Sequence, residues 1–159
     1  VDVWAKNEHA LRIIECKFHS DAKRKSAIQT ALHVQARFQD LVAGLPPSEQ
    51  PLQPEAGIVT NTRFTSEAVA YGACTGMQLI GWDQPHRHGL KHWIDASGRH
   101  PITCMSSLNK MEKRALLDRG QVMCCDLTMD ILADAGVPEK KRRKVLSECA
   151  SIVEERSAP

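Results

Sequence analysis

No apolar run in this 159-residue chain approaches the roughly 20 residues of a transmembrane helix. Strong charge of either sign is missing as well. The net charge of +2 is too mild to hold nucleic acid by itself, so any such argument must rest on local clusters. The six cysteines show no C-x-x-C spacing and lie scattered in apolar contexts, which excludes a zinc ribbon and points to small buried thiols in a reducing, cytoplasmic setting. His86, His88 and His92 have no cysteine at matching spacing and read as exposed loop histidines rather than zinc ligands. There is no signal peptide, repeat or low-complexity segment. The chain opens at Val1, without Met and inside an apparent strand, so upstream sequence is expected.

What is present is an ordinary globular composition, 42% hydrophobic and 25% charged, long enough for one core and a small appendage. The informative stretch is Ile13-Ile14-Glu15-Cys16-Lys17. On a strand, Leu11, Ile13, Glu15 and Lys17 share one face. Charges are seldom placed on an apolar face unless paired or bound to a metal. Upstream, Val1 to Ala5 reads as a second strand, joined through the polar turn Lys6-Asn7-Glu8-His9. A hairpin centred between Asn7 and Glu8 sets Asp2 opposite Ile13, diagonal to Glu15 at roughly 7–8 Å. Two carboxylates at that spacing can close on one divalent cation through oxygens at about 2.0–2.6 Å.

The rest reads as alternating helix and strand. A helix is expected from about Ala22 to Ala43, capped by Ser20 or Asp21, with Ile28, Leu32, Gln35, Gln39 and Val42 on its inward stripe. Gln35 is then either a partly exposed flank or an amide aimed at the Lys17 end of the strand. Pro46 to Pro51 is a proline-rich loop. Gly57–Thr60, a helix from Thr65 to Cys74, and Met77–Trp82 form a crossover unit with parallel strands. A short helix spans Leu90 to Ala96. Beyond a boundary near residue 100 the pattern turns helical: Asn109–Asp118, Met123–Ala133 and Pro138–Glu155.

An acid on one strand and Glu-x-Lys on the next suit metal-assisted phosphodiester hydrolysis: carboxylates hold a hard cation and lysine stabilises developing charge. A solvated salt bridge on a surface hairpin explains the same spacing equally well. Asp2 with Ile13-Ile14-Glu15-Cys16-Lys17 resembles the signature of the PD-(D/E)XK nuclease superfamily. The run Gly57-Ile58-Val59-Thr60-Asn61-Thr62-Arg63-Phe64-Thr65-Ser66-Glu67-Ala68 is similar to the second block of Mrr-like restriction endonucleases. The likeness covers roughly residues 1–96. It implies an α/β fold, a restriction-endonuclease-like mixed sheet flanked by helices over residues 1–100, with a small helical unit over 101–159. It further implies Asp2 and Glu15 as ligands of Mg²⁺ (or Mn²⁺), the Cys16 carbonyl as a backbone ligand, Lys17 as catalytic lysine and Gln35 as a polar helper. DNA is the implied partner, and a homodimer is allowed because cutting both strands calls for two active sites. Relatives begin with a helix absent here, and often carry an ATP-cone module, also absent. The alternative reading is a nuclease-like DNA-binding or sensory module without catalysis.

In the tail, Leu116-Leu117-Asp118-Arg119-Gly120-Gln121-Val122 loosely resembles a helix-hairpin-helix, lacking its second glycine. Lys140-Lys141-Arg142-Arg143-Lys144 is either a solvated surface or a phosphate-tracking patch.

Overall fold

In a computed structural model, which describes residues 1–47 and 53–154, one side chain sets the opening hairpin. Asn7 Oδ1 accepts from the backbone N–H groups of His9 and Ala10 at 2.9 and 2.8 Å, and its own N–H donates to the Ala10 carbonyl. This Asx turn moves the hairpin's centre to between Glu8 and His9. Strand β1 (Val3–Lys6) therefore pairs antiparallel with β2 (Ala10–Lys17) in a register that matches Trp4 with Ile13, two residues from the expected one. A shift by two preserves which face each side chain occupies.

Between β2 and the first helix the chain departs from expectation. The helix α1 spans Ile28–Ala43, not Ala22 onward, and its N-cap Ala27 makes no side-chain cap bond. Lys25–Ser26 form a short strand, β3, instead. Tertiary pairing outweighs the local cap signal of Ser20 and Asp21. Along α1, Ala31 and Val34 are buried, with Phe38, Leu41 and Val42 beside them, whereas Leu32 is 46% exposed. The inward stripe is thus rotated from the expected one, and Gln35 flanks it.

Strand β4 (Gln53–Thr60) is longer than expected, and β5 (Arg63–Phe64) pairs parallel with β3. Helix α2 (Ser66–Thr75) is capped by Thr65, whose side chain accepts from the Ala68 N–H, and leads to β6 (Gln78–Ile80). The main sheet has the order β1-β2-β4-β6, antiparallel at its first pair and parallel thereafter, so the chain is an α/β protein with a mixed sheet flanked by helices. Leu11, Ile13 and Ile58 are buried to 2% exposure or less under α1, each worth about 1.5–3 kcal/mol. The proline-rich loop lies, from Ser48 on, outside the described residues.

The chain divides into two compact units, Val1–His92 and Trp93 onward, a division inside helix α3 (Leu90–Ser97) rather than at residue 100. The second unit has α4 (Lys110–Leu117), closed by a capping box between Asn109 and Glu112, α5 (Met129–Asp134) and α6 (Glu139–Glu154). Its core holds Ile102, Leu116, Leu132, Val137 and Val145. Glu148 of α6 accepts from Ser106 N–H and Oγ, both at 2.6 Å, and from Ser107 N–H at 2.8 Å. Leu116–Val122 does not join two helices. After Gly120 the chain enters the bridge between Pro101 and Met123. The helix-turn-helix is α5–Gly136–α6, whose turn repeats the α4 ending: both glycines are left-handed (φ +75 and +76), and each following N–H returns to a buried leucine carbonyl.

Four of the six cysteines are exposed, so the expectation of uniformly buried thiols holds only for Cys124 and Cys149. Among the described residues no helix is long and apolar enough to cross a membrane.

Candidate active site

The C-terminal ends of β2 and β4 lie side by side, Lys17 across from Thr60 and Glu15 across from Ile58. A reciprocal bond secures this edge. His19 N–H donates to Asn61 Oδ1 and Asn61 Nδ2 donates to the His19 carbonyl, both at 2.8 Å. Buried Thr60 and Thr62 bond through their hydroxyls at 3.2 Å, and His19 Nε2 lies 3.0 Å from the Ser26 hydroxyl.

Glu15 continues the apolar row of Leu11 and Ile13, and its side chain is only 11% exposed. Lys17 Nζ donates to its Oε1 at 2.7 Å. That bond holds the Glu15 carboxyl below the usual carboxylate range, against burial, which pushes it up. Oε2 is buried without a hydrogen-bond partner; the Val1 amino group approaches to 3.3 Å as an ion pair. Gln35 Oε1 is a second buried oxygen without a partner. Phe38 packs with Ile13, and α1 runs back against β2 in the crossover.

Asp2 sits otherwise than expected. Its Oδ2 accepts from the Cys16 N–H at 2.7 Å, and its N–H donates to the Ile14 carbonyl at 3.1 Å. The carboxylate caps the edge of β2 just past the end of β1, beside Glu15 yet engaged with backbone. The Cys16 thiol is pushed up by partial burial, then by the Asp2 and Glu15 carboxylates, and stays protonated at neutral pH.

Among the described residues no three His, Cys, Asp or Glu side chains converge as a metal cage. Mg²⁺ does not require one, since it keeps several waters and takes one or two carboxylates. The Glu15 carboxylate, its Oε2 met only by the Val1 amino group, and the neighbouring Asp2 carboxylate are donors of the hard-oxygen type that suits such an ion. Unanticipated from sequence are His19 and Asn61, which hold the strand ends; polar residues immediately after two parallel strands were the available signal. In the second unit, Lys141 and Arg142 turn inward, to Glu112 and to the Val137 carbonyl. Lys140, Arg143 and Lys144 remain on one exposed face of α6.

A family profile described as AF1548-like, C-terminal, matches residues 100–153. An uncharacterised protein of Archaeoglobus fulgidus is 30% identical over 156 residues, covering 96% of this chain and 84% of that one. A crystal structure of AF1548, a protein of unknown function, superimposes with a TM-score of 0.70 at 28% identity, covering 96% of this chain and 79% of that one.

Proposed function

The chain belongs to the AF1548-like family, and we propose that it is a metal-dependent DNA endonuclease of the Mrr-like, PD-(D/E)XK kind, cutting at the C-terminal end of β2. The observation that carries this reading is a carboxylate, Glu15, nearly buried at the end of an apolar strand row and paired to Lys17, with a buried oxygen of Gln35 left without a partner on the helix that packs over that strand. Leaving the Gln35 oxygen unmatched costs about 1–3 kcal/mol, an expense a purely structural amide has no reason to carry.

Glu15, Gln35 and, once released from Cys16, Asp2 would hold Mg²⁺ or Mn²⁺, which when bound supplies Lewis-acid polarisation of the phosphate and a more acidic water. Lys17 Nζ, held over the carboxylate, stabilises charge developing on the phosphate oxygens. Glu15, kept ionised by Lys17, presents a charged oxygen at neutral pH. Asn61 and His19 hold the two strand ends in position. On α6, the exposed face of Lys140, Arg143 and Lys144 adds phosphate contacts on duplex DNA. Cutting both strands calls for two such sites, hence a homodimer on DNA, and the free cysteines fit the reducing cytoplasm.

The test is cleavage of supercoiled plasmid with Mg²⁺ by the full chain, Glu15→Ala and Lys17→Ala. Loss of at least about a hundredfold in both variants, with unchanged melting, supports the reading. Equal cutting by the variants refutes the site. One observation favours a second reading, a non-catalytic DNA-binding module: the Asp2 carboxylate is occupied by the Cys16 N–H. DNA binding with a steep salt dependence, and no cutting with Mg²⁺ or Mn²⁺, decides for it.

A further inference from the structure

Beyond β4 the first unit encloses a cavity of about 630 Å³, within the size range of small-ligand sites. It borders the C-terminal end of β4 through Asn61 and Thr62. Asn61 lines it, and Asn61 is the residue bonded to His19, two positions past Lys17. The walls are cationic. Lys23, Arg24 and Lys25 are consecutive, and none of their side chains makes an ion pair among the described residues. Arg63 contributes a fourth positive charge; Asp83, hydrogen-bonded to it, and Glu67, within electrostatic reach of Lys25, offset part of the total.

The remaining wall is aromatic. Trp82 is 41% exposed, which is costly for an indole unless something covers it. Its backbone is held from both sides: its N–H donates to the Thr62 carbonyl at 2.6 Å, and its carbonyl accepts from the Lys91 N–H at 2.9 Å. The loop behind it is wound so tightly that a Cβ on Gly89 would come within 2.8 Å of the Trp82 carbonyl oxygen. The backbone that carries the indole is therefore set in place before any ligand arrives.

We infer that this cavity receives an unpaired nucleotide of the substrate strand, its base stacked on Trp82 and its phosphates held by Lys23, Arg24 and Lys25. An aromatic face beside a cationic rim is what single strands require, because every base has a π-face and every link a phosphate. An intact duplex keeps its base faces stacked inside and has nothing to offer the indole. The inference deepens the nuclease reading and rests on it for the identity of the strand: the substrate carries single-stranded character next to the cut, as a flap, overhang or bubble does.

The experiment is fluorescence anisotropy of the full chain in EDTA, which reads binding apart from cleavage. The probes are a labelled oligothymidylate, an oligouridylate, a flapped duplex and a blunt duplex. The expected result is tighter binding of the oligothymidylate and the flapped duplex than of the blunt duplex. Trp82→Ala should weaken both by about tenfold, and Trp82→Phe should restore most of that loss. Replacing Lys23, Arg24 and Lys25 together by Gln should reduce the slope of log K against log salt by about 2, at roughly 0.7 per phosphate. Equal or tighter binding of the oligouridylate keeps the nucleotide pocket and assigns it to RNA. Blunt duplex bound as tightly as the flapped one, or Trp82→Ala binding like the parent chain, overturns the inference. The two proposals fail separately. A parent chain that binds unpaired strands through Trp82 but never cuts removes only the nuclease reading; a Trp82→Ala chain that cuts flapped DNA normally removes only the pocket.

Discussion

Lys17 donates to Glu15 from two residues along the same strand face, at 2.7 Å, leaving the far carboxylate oxygen of Glu15 without a hydrogen-bond partner. One pH effect follows. The Glu15 carboxyl titrates below its ordinary value because of Lys17. The stability this pair contributes is present above the unfolded carboxyl pKa, about 4.3, and is lost as pH falls through the depressed folded value. In Lys17→Gln burial pushes the carboxyl up while only the Val1 amino group still holds it down, so it titrates higher than in the parent chain. Mg²⁺ affinity by calorimetry should change little in the parent chain between about pH 7 and pH 5, and fall more steeply with acidification in Lys17→Gln. Parallel pH profiles would separate the lysine from Glu15's charge.

Asp2 separates two roles that share one carboxylate. Asp2→Asn keeps an acceptor for the Cys16 N–H and removes the charge. Melting should change little, by less than about 0.5 kcal/mol, while Mg²⁺-dependent cleavage drops at least about tenfold. Asp2→Ala should lose about 0.5–1.5 kcal/mol of stability as well. Full cleavage by Asp2→Asn would confine Asp2 to pinning the strand edge.

Gln35 is expected to trade stability for activity. Its Oε1 is buried and unpartnered, so Gln35→Met should raise unfolding free energy by about 1 kcal/mol in denaturant titration and weaken Mg²⁺ binding. A variant that is less stable and still fully active would show the amide to be structural.

In the second unit, three hydrogen bonds from Ser106 and Ser107 outweigh the burial of Glu148 and hold its carboxyl at about 2. Its stabilisation, on the order of 2–3 kcal/mol, is present above the unfolded pKa and disappears between about pH 4.5 and 2. Glu148→Ala should lower the melting temperature at neutral pH, and the gap to the parent chain should close toward about pH 2. A gap that persists there would mean packing, not charge, is what was lost.

The sheet was legible in the sequence because β2, β4 and β6 alternate or run apolar in the way buried strands do, and because Thr65 and Gly76 mark α2 at both ends. The hairpin register was not, since it depends on the Asn7 side chain reaching forward to two N–H groups, and a polar tetrapeptide permits several centres. Ser20 and Asp21 failed as a helix start because Lys25 and Ser26 pair with a strand about forty residues away, a gain no local window contains. The likeness around Glu15 and Lys17 pointed to the C-terminal end of β2. It did not reveal that Asp2 would turn to the Cys16 N–H, because that bond appears only once β1 ends. The Lys23–Lys25 run carries no signal by itself for a related reason: three cations in a loop mean little until Trp82 is folded beside them.

The bond pair between His19 and Asn61 is uncharged on both sides, whereas nearly everything around it that would meet a phosphate is charged. Dissolved salt screens the second kind of interaction and barely touches the first. Ionic strength should therefore release a polyanion from the cationic cavity without loosening the strand ends that hold Lys17, so a high-salt preparation would be an empty but intact protein, restored by dilution alone.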